Sequence, residues 1–260
     1  MKISDNIFRF SLAVALTGCA AFLLAASLSS AAPPPPLIEK LDSHYYYPQR
    51  EGIKSLKFSI HWAQLDPFAD TEDKKLLNNP TVIFNWKAGQ DKPDFEIDES
   101  AGSVSPIREL EILKFMSQYA EVFMPIPLSK TLDDYTFKGK KQRKGYLEAR
   151  FSTDSAHPIM QYDFKIDPRH WNIKTLLLRR QHSPFNVTSH LKYADRNGKS
   201  QVLESRSRFE MNGKKYEETL EFFYSKIEGY WLPTRVRQQL KEGTKLANSY
   251  IFTFAGYKIN

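Results

Sequence analysis

The sequence predicts an α+β protein, mostly antiparallel β: an unclosed half-barrel of roughly 10–11 strands beneath a helical lid. Three observations predict it. From about Phe185 to Asn260, apolar and polar positions alternate almost without pause, and only tight turns interrupt them. Aromatic residues make up 13% of the chain, with 18 Phe and 13 Tyr, and such side chains favour pleated, half-buried surfaces. One long segment, Pro106 to Met124, has helical periodicity instead.

The elements follow in order. Leu37, Ile38, Leu41 and Tyr45 fall at helical spacing and stop before Pro48, so a short helix over Leu37 to Tyr46 is expected, stable only by packing on something. Ser55 to Trp62 places Leu56, Phe58, Ile60 and Trp62 on one face of a strand, and Val82, Phe84 and Trp86 repeat the pattern. Between them Asp66 to Asn79 reads as a surface helix or loop excursion. The long helix has Ser105 to cap it, Pro106 in its first turn and Pro125 to stop it. Ile107, Leu110, Leu113, Met116, Tyr119, Ala120 and Phe123 are its expected apolar stripe, laid on the open face of the sheet. Leu132 to Phe137, Gly145 to Phe151, Pro158 to Ile166 and Asn172 to Arg180 read as strands. So do Ser205 to Glu210, Glu217 to Tyr224, Leu232 to Leu240 and Ala247 to Ile259. Asn197-Gly198 and Asn212-Gly213 suit type I′ hairpin tips.

The first thirty residues are different material. Lys2 and Arg9 precede an apolar run from Phe10 to Leu28, followed by Ser29-Ser30-Ala31-Ala32 and the prolines Pro33 to Pro36. This is the layout of a secretory signal over residues 1–31, cleaved after Ala31. A stiff proline-rich spacer follows at 32–36, and a single domain at 37–260. Leu16-Thr17-Gly18-Cys19 also resembles the bacterial lipobox, whose cysteine becomes the lipidated first residue, and the apolar run is long enough for an uncleaved anchor. Each reading makes the chain exported, periplasmic or envelope-associated. Cys19 is the only cysteine, so the domain has no thiol chemistry or internal disulfide.

Composition narrows the chemistry. A net charge of +7 on an exported chain draws it to anionic envelope material, and nucleic acid is not expected as a partner. The six histidines, His44, His61, His157, His170, His182 and His190, form no metal-binding pair. The adjacent acids Asp133-Asp134 and Glu217-Glu218 point to opposite faces of a strand or lie in a turn. The expectation is a non-catalytic protein that needs no metal or cofactor.

A late block of residues carries a family resemblance. Gly229-Tyr230-Trp231-Leu232-Pro233-Thr234-Arg235-Val236, Asn248-Ser249-Tyr250-Ile251-Phe252-Thr253-Phe254 and the closing Tyr257-Lys258-Ile259-Asn260 resemble the superfamily of bacterial lipoprotein carriers, the LolA, LolB and mycobacterial lipoprotein-transport proteins. Tyr135-Thr136-Phe137-Lys138-Gly139, Gly145-Tyr146-Leu147 and Asp167-Pro168 are similar to the middle of that family. The likeness covers roughly residues 103–260 and leaves Asp66 to Ala101 without a counterpart. It implies an open barrel whose helix-plugged cavity holds acyl chains, with lipid or an acylated protein as partner. The carrier's buried arginine has no clear match; Arg150, Arg179 and Arg180 are candidates by strand position.

Read from the residues alone, a curved aromatic face closed by one helix is either a packed core or an apolar slot. The candidate lipid-binding wall and lid are Phe58, Ile60, Phe84, Trp86, Leu110, Leu113, Met116, Phe164, Phe252 and Phe254. A solid barrel would make the chain a structural or interaction module of the envelope instead. Lys138, Lys140, Lys141, Arg143 and Lys144 form the densest basic run, expected in a hairpin loop. They are the candidate contact with an anionic membrane or acidic partner. Oligomeric state is not set by any of these features.

Overall fold

The computed structural model describes residues 36–65, 76–90, 92–98, 100 and 104–260. The readings of residues 1–31, of the spacer up to 35 and of the excursion from Asp66 to 75 lie outside the described residues. The chain opens with α1 (Pro36–His44) and a single 3-10 turn (Pro48–Arg50). Next come β1 (Ser55–Leu65), β2 (Leu76–Asn78), β3 (Val82–Lys87) and β4 (Asp94–Ile97). Three helices follow: α2 (Pro106–Ser117), α3 (Ala120–Phe123) and α4 (Leu128–Thr131). The rest is an unbroken run of strands: β5 (Thr136–Arg143), β6 (Tyr146–Ser152), β7 (Ile159–Asp167), β8 (Asn172–Arg180), β9 (Asn186–Arg196), β10 (Lys199–Met211), β11 (Lys214–Ile227), β12 (Tyr230–Glu242) and β13 (Lys245–Ile259).

All strands join one antiparallel, unclosed 13-stranded sheet, slightly larger than the sequence led us to expect because β2 and β4 add short edges. From β5 to β13 every strand pairs with its sequence neighbours, and β1 then pairs with β13, so the first and last strands described meet within the sheet. Hairpin chemistry makes this meander possible. Asn197 and Gly198 both have positive φ, 56° and 82°, as do Asn212 and Gly213, 54° and 73°, which is what a two-residue type I′ turn requires. In β1 the alternation holds, with Leu56, Phe58, Ile60 and Trp62 buried on one face.

The inner face carries two apolar clusters. One lies under α2 and α3, built from β1, β3 and β11 to β13; the other lies under α1, built from β6 to β12. Between them runs a polar seam of buried side chains: Ser189, Ser205, Ser207, Glu218 and Gln238. Ser189 and Ser207 bond hydroxyl to hydroxyl at 2.7 Å. Buried polar groups persist when paired in this way.

Two expectations are corrected. The long helix does not run through to Met124; it ends at Ser117 and restarts as α3. Its buried stripe is Ile112, Phe115, Met116 and Tyr119, whereas Ile107 and Leu110 are 76% and 69% exposed. The reason is geometric. Three-residue steps fall about 60° short of a turn, so a chain of them walks around the helix, and nine residues from Ile107 to Met116 end half a turn away. The second correction concerns the basic run, which is not a loop. It is most of the edge strand β5, turning at Lys144 and Gly145, and the expected strand over Leu132 to Phe137 starts only at Thr136. Lysine on a free edge discourages pairing with another chain.

Candidate functional site

The space between the long helix and the sheet is filled. Phe58 stacks on Phe84 with ring centroids 4.4 Å apart, and Phe252 lies 4.6 Å from Tyr119 and 5.4 Å from Phe123. Phe58, Ile60, Phe84, Met116, Phe252 and Phe254 are all buried in this cluster, with Trp86 and Leu113 half-buried against it. Leu110 points away from it. These nine residues are core or surface, not cavity wall. Tyr119 donates a hydrogen bond to Gln238 Oε1, and Gln238 Nε2 donates to Glu218, which closes the seam.

Open space exists elsewhere. A cavity of about 200 Å³ lies over β7 to β12, on the part of the sheet that α2 does not reach. Phe164 is the one candidate residue that lines it. Its floor is Ile159, Phe164, Ile173, Leu176, Leu191 and Phe222; its cover is the segment Tyr45 to Pro48 together with α3, α4 and the residues between them.

That cover is built residue by residue. α1 docks by Leu37, Ile38 and Leu41, and the three tyrosines after it each fasten a different partner. Tyr45 Oη accepts from the Ile173 N–H at 2.8 Å and lies 3.0 Å from Tyr193 Oη, and burial pushes its pKa up to about 12. Tyr46 Oη accepts from Trp231 N–H at 2.8 Å. Tyr47 donates to Asp42 Oδ1 at 2.8 Å. Asp42 is itself 3% exposed and also accepts from the Leu128 and Ser129 N–H groups, at 2.8 and 3.1 Å, and from Arg50. One carboxylate thus ties α1, the 3-10 turn and α4 together. At the rim, Arg196 stacks over Trp231 at 3.9 Å and holds Gln201 Oε1 at 2.9 Å.

The wall contains one acid. Glu121 is half-buried in α3, but its Oε1 is closed to solvent and meets no hydrogen-bond partner among the described residues. Burial pushes its carboxyl well above the usual range. The tyrosine cluster and Glu121 escaped sequence reasoning, yet both left marks: three consecutive tyrosines after a helix, and one acid inside the apolar run Tyr119 to Met124.

Lys138, Lys140, Lys141, Arg143 and Lys144 are all exposed, and Lys141 pairs with Glu148 across the hairpin at 3.4 Å. They lie on β5, at the edge of the sheet; none of them lines the apolar cavity, but Lys138, Lys140 and Lys141 line a second hollow of about 510 Å³ together with Glu148, Arg150, Asp163 and Lys165. Of the three arginines, Arg150 is paired with Asp163 at 2.6 Å and Arg179 is exposed. Arg180 is half-buried, its Nε and Nη1 without a partner among the described residues. Among those residues no group of acids, histidines or cysteines could hold a metal ion, and no helix is long and apolar enough to cross a membrane.

The fold and site define a class: an open antiparallel trough with a helical cover over one apolar cavity. No family model matches the chain, and no curated protein matches it. Among solved structures it is similar to a DUF1329 family protein from Desulfovibrio piger ATCC 29098, with 9% identity, a TM-score of 0.38, and 88% of this chain and 93% of that one covered. It is likewise similar to an outer membrane lipoprotein-sorting protein domain from Vibrio parahaemolyticus, with 8% identity, a TM-score of 0.35, and 86% and 91% covered. Likeness at this level carries no argument about what the chain binds.

Proposed function

We propose that this chain is an exported envelope protein that binds an acyl chain or a similar amphiphile non-covalently, without catalysis. The observation that supports it is the cavity of about 200 Å³ between β7 to β12 and the Tyr45 to Pro48 cover, whose exposed wall is mainly apolar surface, with tyrosine hydroxyls, Glu121, Thr131, Ser200 and Gln201 set in it. An apolar cavity of about 150 Å³ takes benzene, so this one takes a single short chain or the end of a longer one. Burying some six to eight methylenes at roughly 0.8 kcal/mol each yields about 5–6 kcal/mol gross, and association costs subtract from that. Binding on this scale is weak and readily reversed, which suits handing a ligand on more than storing it. Transport or sorting of acylated proteins would use the same chemistry, with part of the ligand outside the cavity.

The solid cluster under α2 supports the other reading, an interaction module of the envelope. One measurement separates the two. The purified protein should yield a co-purified amphiphile on organic extraction and mass spectrometry, and it should take up a fluorescent fatty acid. Leu176→Trp, which fills the cavity floor, should abolish uptake with an unchanged circular dichroism spectrum. Leu113→Trp, beside the packed cluster, should leave uptake intact. Absence of both extracted lipid and uptake would leave only the interaction module.

A further inference from the structure

Among the described residues lining the cavity, Glu121 is the only one that could carry a charge near neutral pH. The remaining titratable wall groups are the tyrosines at 45, 46, 47, 162, 193 and 224. Most of these phenols already serve the protein. Tyr45 and Tyr193 bond each other and bracket the Ile173 backbone, Tyr46 holds Trp231, Tyr47 holds Asp42, and Tyr162 bonds Tyr135. Glu121 has no such work. Its Oε1 is sealed from solvent without a partner among the described residues, a cost that leucine at the same position would avoid. No cation on the wall offsets it, and burial favours the neutral acid, which has one O–H to donate.

We infer that the cavity receives an acyl group carbonyl-first and that Glu121 donates a hydrogen bond to the carbonyl oxygen, so that this residue selects acyl compounds over other apolar ligands of the same size. The inference rests on the cavity being a ligand site, as proposed above. An acceptor without hydrogens of its own is the head that fits. An alkylammonium would bring a positive charge, and two cations already stand against the wall: Arg196 lies 3.9 Å from the Trp231 ring centre and Lys174 5.5 Å from that of Tyr193. A plain hydrocarbon would leave Glu121 unpaired. The acyl carbonyl could belong to a free fatty acid or to an acyl ester, since both present the same oxygen.

Binding of four probes to the purified protein tests this: methyl octanoate, octanoic acid at pH 5, octylamine, and toluene as a measure of the cavity alone. Glu121→Leu is expected to weaken both acyl probes about five- to tenfold relative to toluene, the worth of one neutral hydrogen bond. Glu121→Gln, which keeps an N–H donor, is expected to restore most of that loss, which a merely structural role would not predict. Binding of octanoic acid without its ester would assign the site to free acids; binding of both extends it to acyl esters. An unchanged acyl-to-toluene ratio in Glu121→Leu, or octylamine as the tightest ligand, overturns the inference while leaving the cavity a ligand site. If folded protein binds none of the four, the ligand-site reading itself falls, and this inference with it.

Discussion

Glu218 is an acid buried at 1% exposure in the seam between the two apolar clusters, with Gln238 donating to it. Burial is the larger effect and pushes its pKa up to about 8, while the hydrogen bond from Gln238 pulls the other way. The folded state therefore holds a proton that the unfolded chain releases near its ordinary value of 4.5. Stability from this residue is complete below that ordinary value and is lost as the pH rises through the folded value. Glu121 has the same sign, for the same cause. Thermal unfolding should shift downward between pH 5 and pH 8, a loss on the order of a few kcal/mol. Glu218→Gln should match the parent at pH 5, exceed it at pH 8 and lose part of the slope, the remainder coming from Glu121; an undiminished slope would mean that Glu218 is not the group that titrates. At this scale the sequence was opaque. Glu217-Glu218 reads as a charged pair split across a strand or set in a turn, and only the sheet shows that one side is closed: Glu217 makes solvent-side ion pairs with Arg206 and Arg208, and Glu218 lies in the buried seam.

Among the elements, α2 is the clearest case of a pattern that says helix without saying which face is inside. Ser105 caps it as expected, its side chain accepting from the Arg108 N–H at 3.4 Å, and Pro106 opens the first turn. The face is decided by contact. Tyr119 must reach Gln238 in the sheet, and Phe115 must lie 4.9 Å from the ring of Trp62. Both needs turn Ile112, Phe115 and Met116 inward and leave Leu110 outside. In urea denaturation, Leu110→Asp should change stability by no more than about 0.5 kcal/mol, whereas Met116→Ala should cost about 2–5 kcal/mol through the cavity it leaves. Equal losses would return Leu110 to the core. The strands fared better. Period-2 burial in β1 and β10 matches the alternation of their residues, because a strand half-covered by a core can satisfy only one register.

At the scale of the whole molecule, the described strand order ends at β4 and β5, and the second carries Lys138, Lys140, Lys141 and Arg143 with Lys144 at its turn. This edge lies strands away from the cavity floor, so a membrane contact made there would leave the cavity cover accessible. Each exposed cation adds up to about 1 kcal/mol near an anionic bilayer. Co-sedimentation with vesicles containing an anionic phospholipid should fall for a Lys140→Glu, Lys144→Glu double variant and should weaken with added salt. If the double variant sediments as the parent does, the basic edge serves only to keep other strands from pairing with it.

What the sequence determined by itself was the secondary structure class, the meander of hairpins and the antiparallel, unclosed sheet. These follow from alternation, turn residues and caps, which act over a few neighbours in the chain. Where the sheet is packed solid and where it stays open was decided only in three dimensions. Phe252 and Phe164 read alike in sequence, each an aromatic at an inward position of a late strand. The first is buried beneath α2 and α3 among other rings, while the second lies under a cover held by Asp42 and three tyrosines and faces open volume. Whether an apolar side chain is core or wall depends on whether another element fills the space above it, and in this fold that element comes from far away along the chain.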